Sequence, residues 1–347
     1  MKILYSVQAT GNGHISRAME LLPHLQRHGD VDIFLSGANS TLELNAPVKY
    51  RSKGLSLFYT CQGSLSYPKT LQAFAPLRIR KEIKELPVEK YDLVLNDFEC
   101  ITSLACRYKK ILSINFGHQA SFISPLTPRP EQKAWLGEWI LKNYARASHY
   151  IGLHFQRYDK FILPPVIKKE IRNTMPVDKN FIAVYLPSYC EPVLEKTFYA
   201  LPDFSFRIFS RETSQIKISR NIQFFPVDKT LFNEALVTCK GIITGGGFET
   251  PAEAMHLGKK LMVIPIKGQY EQLCNAAALE KMNIKKLDDL DDDFNNQFHE
   301  WLSSKSSSYV SYRHSTEEII EEVIHLATGY MKERNLDKFP AQLLPHL

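Results

Sequence analysis

The chain has 347 residues, 44% hydrophobic and 23% charged, which is enough apolar material for two cores and too ordered a composition for a disordered chain. A net charge of +6 is mild for this length: it suits an anionic ligand or a membrane surface but not a nucleic-acid-binding domain. Six cysteines (Cys61, Cys100, Cys106, Cys190, Cys239, Cys274) form no CxxC pair, which argues against a zinc site and a disulfide framework, and no apolar run approaches the roughly 20 residues of a membrane span.

In chain order, MKILYSVQ reads as a first strand and not as a signal peptide, so a cytoplasmic location is expected. Strands are predicted at 3–7, 31–35, 93–96, 110–115 and 150–153, with a first helix over about 15–26. Around 164–179 the pattern weakens, and Pro164, Pro165 and Pro176 with nearby charges suit an exposed linker. Alternation then restarts, with strands at 181–186, 205–209, 222–225, 241–244 and 261–265 and helices near 192–200, 230–238, 251–257 and 271–281. A long amphipathic helix is expected over 316–333. Alternating strands and helices predict an α/β fold of two doubly wound, Rossmann-like domains, 1–165 and 180–313, facing across a cleft. Residues 314–347 would be a C-terminal helix packing back across that cleft.

The first strand runs into Gly11-Asn12-Gly13-His14, then Ile15-Ser16-Arg17. Two glycines let the backbone turn and approach a ligand, and the free N–H groups of the following helix favour an anion. GxGH is not the GxGxxG dinucleotide fingerprint, so a dehydrogenase is not indicated. His14 suits a base that deprotonates an acceptor hydroxyl; a residue that merely packs at the helix start is an equal reading on spacing alone. Arg17 reads as a solvated helix residue.

The strongest motif is Ile243-Thr244-Gly245-Gly246-Gly247-Phe248-Glu249-Thr250-Pro251-Ala252-Glu253. Gly245, Gly246 and Gly247 can bring bare N–H groups against a diphosphate at a helix start. Thr-Pro-Ala-Glu is also a capping box, which accounts for Thr250 without any ligand. Glu253 has a competing role as a bidentate acceptor for two ribose hydroxyls. After the next strand, Gln269-Tyr270-Glu271-Gln272 and Asn275 add sugar-type donors and acceptors at a helix start.

The run GGGFETPAEAMHLGKKLMVIPIKGQYEQLCNAA is similar to the donor half of inverting GT-B glycosyltransferases, the group of the peptidoglycan GlcNAc transferase and the UDP-glycosyltransferases. TGNGHISRA, NDFEC and INFGHQASF resemble cleft-facing segments of that group's first domain, so the likeness spans nearly the whole chain. The resemblance implies an acceptor-binding first domain and a nucleotide-sugar-binding second domain. It implies Glu253 on the donor ribose, Glu271 and Gln272 on ribose or sugar hydroxyls, and Gly246, Gly247 and Thr250 at the diphosphate, with Gly245 and Asn275 in the same donor site. Ser188 would hold the phosphate from the other side, and the backbone near Phe225 and Val227 would meet the base. His14 would be the acceptor-side base, among Gly11, Asn12, Gly13, Asp97, Glu99, His118 and Gln119. Asp97 and Glu99 have an equally good reading as helix caps.

Asp288-Asp289-Leu290-Asp291-Asp292-Asp293 is read as acids at a helix start, with no metal and no cofactor expected, the nucleotide-sugar being a substrate. Six basic residues in 69–90 (Lys69, Arg78, Arg80, Lys81, Lys84, Lys90) flank the apolar stripes Leu71, Phe74, Leu77 and Ile79, Ile83, Leu86. Such a segment is a core-facing stripe with solvated charges, or a site of peripheral membrane association at the inner membrane face. The expected activity is inverting transfer from a nucleotide-diphosphate sugar, a UDP-sugar in the first instance, to a glycan, lipid-linked or small-molecule hydroxyl, as in cell-envelope, polysaccharide or glycolipid synthesis. A nucleotide-sugar hydrolase, an epimerase and a non-catalytic nucleotide-sugar-binding protein are the rivals.

Overall fold

The computed structural model describes residues 1–9, 12–37, 44–54, 75–291, 293–305 and 309–336, with side chains as far as Tyr330. The first half runs β1 (Lys2–Gln8), α1 (Asn12–Leu25), β2 (Asp30–Ser36), β3 (Val48–Ser52), α2 (Pro76–Glu85), β4 (Leu93–Asp97), α3 (Cys100–Lys109), β5 (Ile114–Gly117), α4 (Trp135–Asn143), β6 (His149–Leu153) and β7 (Ile162–Leu163). A short helix, α5 (Lys169–Arg172), leads into the second half. There follow β8 (Ile182–Tyr185), α6 (Glu191–Tyr199), β9 (Phe206–Ser210), β10 (Lys217–Ser219), β11 (Ile222–Pro226), α7 (Lys229–Thr238), β12 (Gly241–Thr244) and α8 (Glu249–His256). The chain ends with β13 (Lys260–Val263), α9 (Tyr270–Glu280), β14 (Lys285–Lys286), α10 (Phe294–Ser303) and α11 (Ser315–Leu336).

The first sheet has the order β3-β2-β1-β4-β5-β6-β7 and is parallel throughout. In the second, β10-β11-β9-β8-β12-β13-β14, only the β10–β11 pair is antiparallel. Strand order reverses between β1 and β4 in one sheet and between β8 and β12 in the other. Open parallel sheets form crevices beyond the strand ends at such points, because the loops on either side turn to opposite faces. Two α/β sheets wound in this way are the expected fold.

The four strands not predicted from sequence (β3, β7, β10 and β14) are the four sheet edges. Edge strands pair on one side only and are short, so three of them carry no buried apolar run. The strand expected at 110–115 lies instead at 114–117, because Lys110 (φ 55°) ends α3 in the left-handed conformation.

One apolar cluster connects the halves, including Tyr5, Leu95 and Phe116 from the first sheet, Phe155, Val166 and Ile167 beyond it, and Phe248, Ala252 and Met255 at α8. The stretch expected as an exposed linker is exposed at 169–170 and 173–180, while Pro165, Val166, Ile167 and Ile171 within it are buried. Helix α11 packs against α1, and the Tyr312 hydroxyl just before it donates to Phe155 O at 2.8 Å. Pro76 opens α2, whose Ile79 is buried; Leu86, just after the helix, is buried in a cluster that Ile83 also packs against, so that stripe faces the core while Leu77 is exposed. Lys69, Leu71, Phe74 and Cys61 lie outside the described residues, among which no helix is long and apolar enough to cross a membrane.

Candidate active site

The ends of β1 and β4 lie side by side, Val7 pairing with Asp97, so the start of α1 and the end of β4 share the first crevice. His14 and Arg17, three apart on one helix face, both turn to Asp97. The His14 Nδ1 is 2.8 Å from Asp97 Oδ1. Arg17 donates through Nε to Oδ2 at 3.0 Å and through Nη2 to Oδ1 at 2.7 Å. Far from being solvated, Arg17 is 3% exposed, and its Nη1 reaches Glu249 of the second half at 2.5 Å. Burial pushes the Asp97 carboxyl upward, but Arg17 and His14 outweigh it and hold the group below the usual carboxylate range. Asp97 is thus an anion, and the Arg17 Nη2 also lies 3.0 Å from His14 Nδ1; with Nδ1 donating to the carboxylate, Nε2 is the ring nitrogen left to accept a proton.

A strained turn sets this up. Phe98 has φ 53°, a left-handed conformation unusual for a bulky residue. Asn96 clamps the turn, donating to Glu99 O and accepting from Glu99 N, both at 2.7 Å. Glu99 caps α3, accepting from Ile101 N at 2.9 Å and Thr102 N at 2.6 Å, and is fully buried. The capping alternative therefore holds for Glu99, which does not line the cleft, whereas Asp97 is held by His14 and Arg17. Gly11 lies outside the described residues.

In the second half, β12 ends with Thr244 paired to Tyr185 at the end of β8. Beyond it, the Gly246 N–H donates to Gln272 Oε1 at 3.1 Å, and the Ile266 N–H donates to the same oxygen at 3.0 Å. Asn275 Nδ2 donates to Gly246 O at 3.0 Å. Gln272 and Asn275 thus pin the glycine loop. Gln269 serves as the side-chain cap of α9, accepting from Gln272 N at 2.6 Å. A Cβ on Gly246 would lie 2.6 Å from the Gln272 carbonyl oxygen, a backbone atom that cannot yield, whereas one on Gly247 would meet only open space. Gly246→Ala is accordingly expected to cost about 1–3 kcal/mol of stability in urea denaturation, and Gly247→Ala much less.

The predicted capping box does not form. Helix α8 starts earlier, at Glu249, with Phe248 as a cap lacking any side-chain bond, so Thr250 sits inside the first turn. Glu253 is 1% exposed, with the Lys168 ammonium 3.1 Å from its Oε2. Ser188 is half-buried in the turn after β8. The Phe225 ring is a core ring packed on Phe209, and Pro226 and Val227 at the end of β11 are half-buried, Val227 packing against the core cluster.

The halves meet across the crevice. Besides Arg17–Glu249, Gln119 Nε2 donates to Glu271 Oε2 at 3.1 Å, and the His118 ring stacks on Phe248 with centroids 3.9 Å apart. His118 places Nδ1 2.9 Å from Leu153 O and Nε2 2.6 Å from Asn275 Oδ1. Burial pushes His118 down to about 3, so the ring is neutral and donates to one of these oxygens at a time. It is a strut between the halves and not a base. Among the described residues no three His, Cys, Asp or Glu side chains are grouped to hold a metal.

A family model described as glycosyl transferase family 1 matches residues 1–303. The chain belongs to that family. It is a glycosyltransferase with the GT-B fold. No curated protein matches its sequence. The kitacinnamycin glycotransferase structure is similar at a TM-score of 0.58 and 15% identity, covering 97% of this chain and 98% of that one. The glycosyltransferase SnogD from Streptomyces nogalater is similar at 0.55 and 12%, with 96% and 99% covered. Arabidopsis thaliana UGT89C1 complexed with UDP is similar at 0.57 and 13%, with 92% and 99% covered. Sequence reasoning set Arg17 aside and overlooked Glu249 and Lys168. The first had a signal, its three-residue spacing from His14; the other two acquire partners only through the fold.

Proposed function

We propose that this glycosyltransferase moves a sugar from a nucleoside-diphosphate donor, a UDP-sugar in the first instance, to an acceptor hydroxyl with inversion. The observation that carries this reading is the Asp97–His14 pair at the first switch point, joined through Arg17 to Glu249 beside the glycine loop of the second half. His14 Nε2 takes the proton of the acceptor hydroxyl while the oxygen forms its bond to the sugar's anomeric carbon. The bond from that carbon to the diphosphate oxygen breaks on the opposite face, and the nucleoside diphosphate leaves with the electron pair. The Gly247 N–H and the first turn of α8, with Thr250, stabilise the charge that grows on the diphosphate. Glu253 accepts from the ribose hydroxyls, and Glu271 from the sugar. Arabidopsis thaliana UGT89C1, of the same fold, has been solved with UDP and with UDP-L-rhamnose, which supports the choice of donor class.

The test is a panel of UDP-, GDP- and dTDP-sugars, with nucleotide release followed with and without candidate acceptors. Release that needs no acceptor and yields free sugar would replace the transferase reading by a hydrolase. Glu253→Ala is expected to weaken UDP binding at least about tenfold by calorimetry, the loss of hydrogen bonds to a charged acceptor. An unchanged affinity would remove Glu253 from the donor site.

A further inference from the structure

Lys168 is the residue immediately before α5, in the stretch that joins the halves. Its ammonium is 3.1 Å from Glu253 Oε2, yet its hydrogen bond goes to Asn233 Oδ1 at 2.9 Å, and the Phe232 ring lies 6.0 Å away. Both side chains are sheltered, Lys168 being 12% and Glu253 2% exposed. The result is an unusual state for a buried carboxylate: Oε2 has a counter-charge beside it but no aligned hydrogen-bond donor. Such an oxygen is neutralised and still open to accept. The other charged groups facing Glu253 are acidic, Glu249 from the same helix and Glu20 from α1. Glu249 is engaged by Arg17, and Glu20 accepts from the Lys169 N–H at 3.0 Å.

We propose that Lys168 belongs to the donor site, where it keeps the Glu253 carboxylate charged and Oε2 open to a vicinal diol such as that of a ribonucleoside diphosphate. The inference rests on the reading of Glu253 as the diol-binding residue. Without the lysine, a carboxyl in this position would protonate, and a protonated carboxyl turns one oxygen into a donor and loses the charge that strengthens its bonds from a diol. Burial, then Glu249 and Glu20, push the Glu253 carboxyl above the usual range while Lys168 opposes the rise, so removing the ammonium moves protonation to still higher pH.

The experiment is calorimetric titration of UDP and of 2′-deoxy-UDP into the full chain at about pH 6 and about pH 9, for wild type, Lys168→Met, Lys168→Arg and Glu253→Gln. Lys168→Met is expected to bind UDP about tenfold or more weakly than wild type at the lower pH and to recover toward it at the higher. Lys168→Arg, which keeps the charge, is expected to stay near wild type. 2′-Deoxy-UDP, lacking the diol, should bind weakly to every variant. Wild-type affinity in Lys168→Met at both pH values overturns the proposal, and so does an equal loss at both. If Glu253→Gln binds UDP like wild type, the reading of Glu253 itself fails. If Glu253→Gln is weak while Lys168→Met is normal, only the role of Lys168 fails. Thermal melting checks that each variant is folded; should Lys168→Met not fold, Lys168→Gln removes the charge while keeping a donor for Asn233 and gives the same readout.

Discussion

His14→Ala is expected to lower turnover about 10²–10⁴-fold while leaving the affinity for the nucleotide unchanged. The glycine loop and Glu253 belong to the second half and do not need the imidazole, so donor binding should survive its loss. The acceptor hydroxyl, however, loses the group that takes its proton. The same kinetics are expected of Asp97→Asn for a different reason. Its amide can present an N–H to Nδ1, which would shift the ring proton to Nε2 and leave the wrong nitrogen basic. The comparison is made by steady-state kinetics with the donor identified by the sugar panel, and by calorimetry with UDP. A His14→Ala enzyme with near wild-type turnover would remove the base from its proposed role. Parallel losses of turnover and donor affinity would instead point to a packing role at the start of α1.

Arg17→Met is expected to be the most destabilising single change at the site, by about 3–5 kcal/mol, because it strands a fully buried Asp97. The pH dependence identifies the cause. In the wild type the Asp97 carboxyl is held below its usual range, so its contribution is fully present above the unfolded-state pKa of about 3.9 and is lost only as pH falls through the lower folded value. In the variant, burial becomes the dominant influence on Asp97 and raises it. The sign then reverses: stability relative to wild type falls as pH rises through the raised value. Urea denaturation of both proteins at about pH 5 and about pH 8 should therefore show a larger gap at the higher pH. A gap of the same size at both would mean that the lost stability lies in Arg17's packing and not in its charge. Arg17→Met/Asp97→Asn, which removes the stranded charge, is expected to regain part of the loss.

The crevice also explains how Glu249, a carboxylate next to the glycine loop, is tolerated. Arg17 sits between Asp97 and Glu249, within 2.7 Å of one and 2.5 Å of the other, and compensates both. The guanidinium thereby ties the His14–Asp97 pair to the first residue of the helix that follows the glycine loop. Its planar fork satisfies two carboxylates at once, a geometry that lysine cannot reproduce.

Much of this protein was determined by local sequence. Alternating apolar runs and helical patterns gave the two α/β sheets, because a buried parallel strand must be almost wholly apolar and a covering helix must carry an apolar stripe. Turn-forming glycines marked the loop after β12, and the order of motifs marked the family. The edge strands, with a single neighbour and little burial, left no such pattern. Where the chain alone allowed two readings, contacts between distant residues decided. Glu99 became a cap and Asp97 a partner of His14 because the left-handed Phe98 turns one inward and the other across the crevice. His118 became a strut because Asn275 from the other half meets its ring. The capping box failed because α8 begins before Thr250, and Glu253 acquired a lysine from the joining segment. Which polar residues face one another across a cleft depends on how two independently patterned halves dock, and periodicity within either half carries no record of that docking.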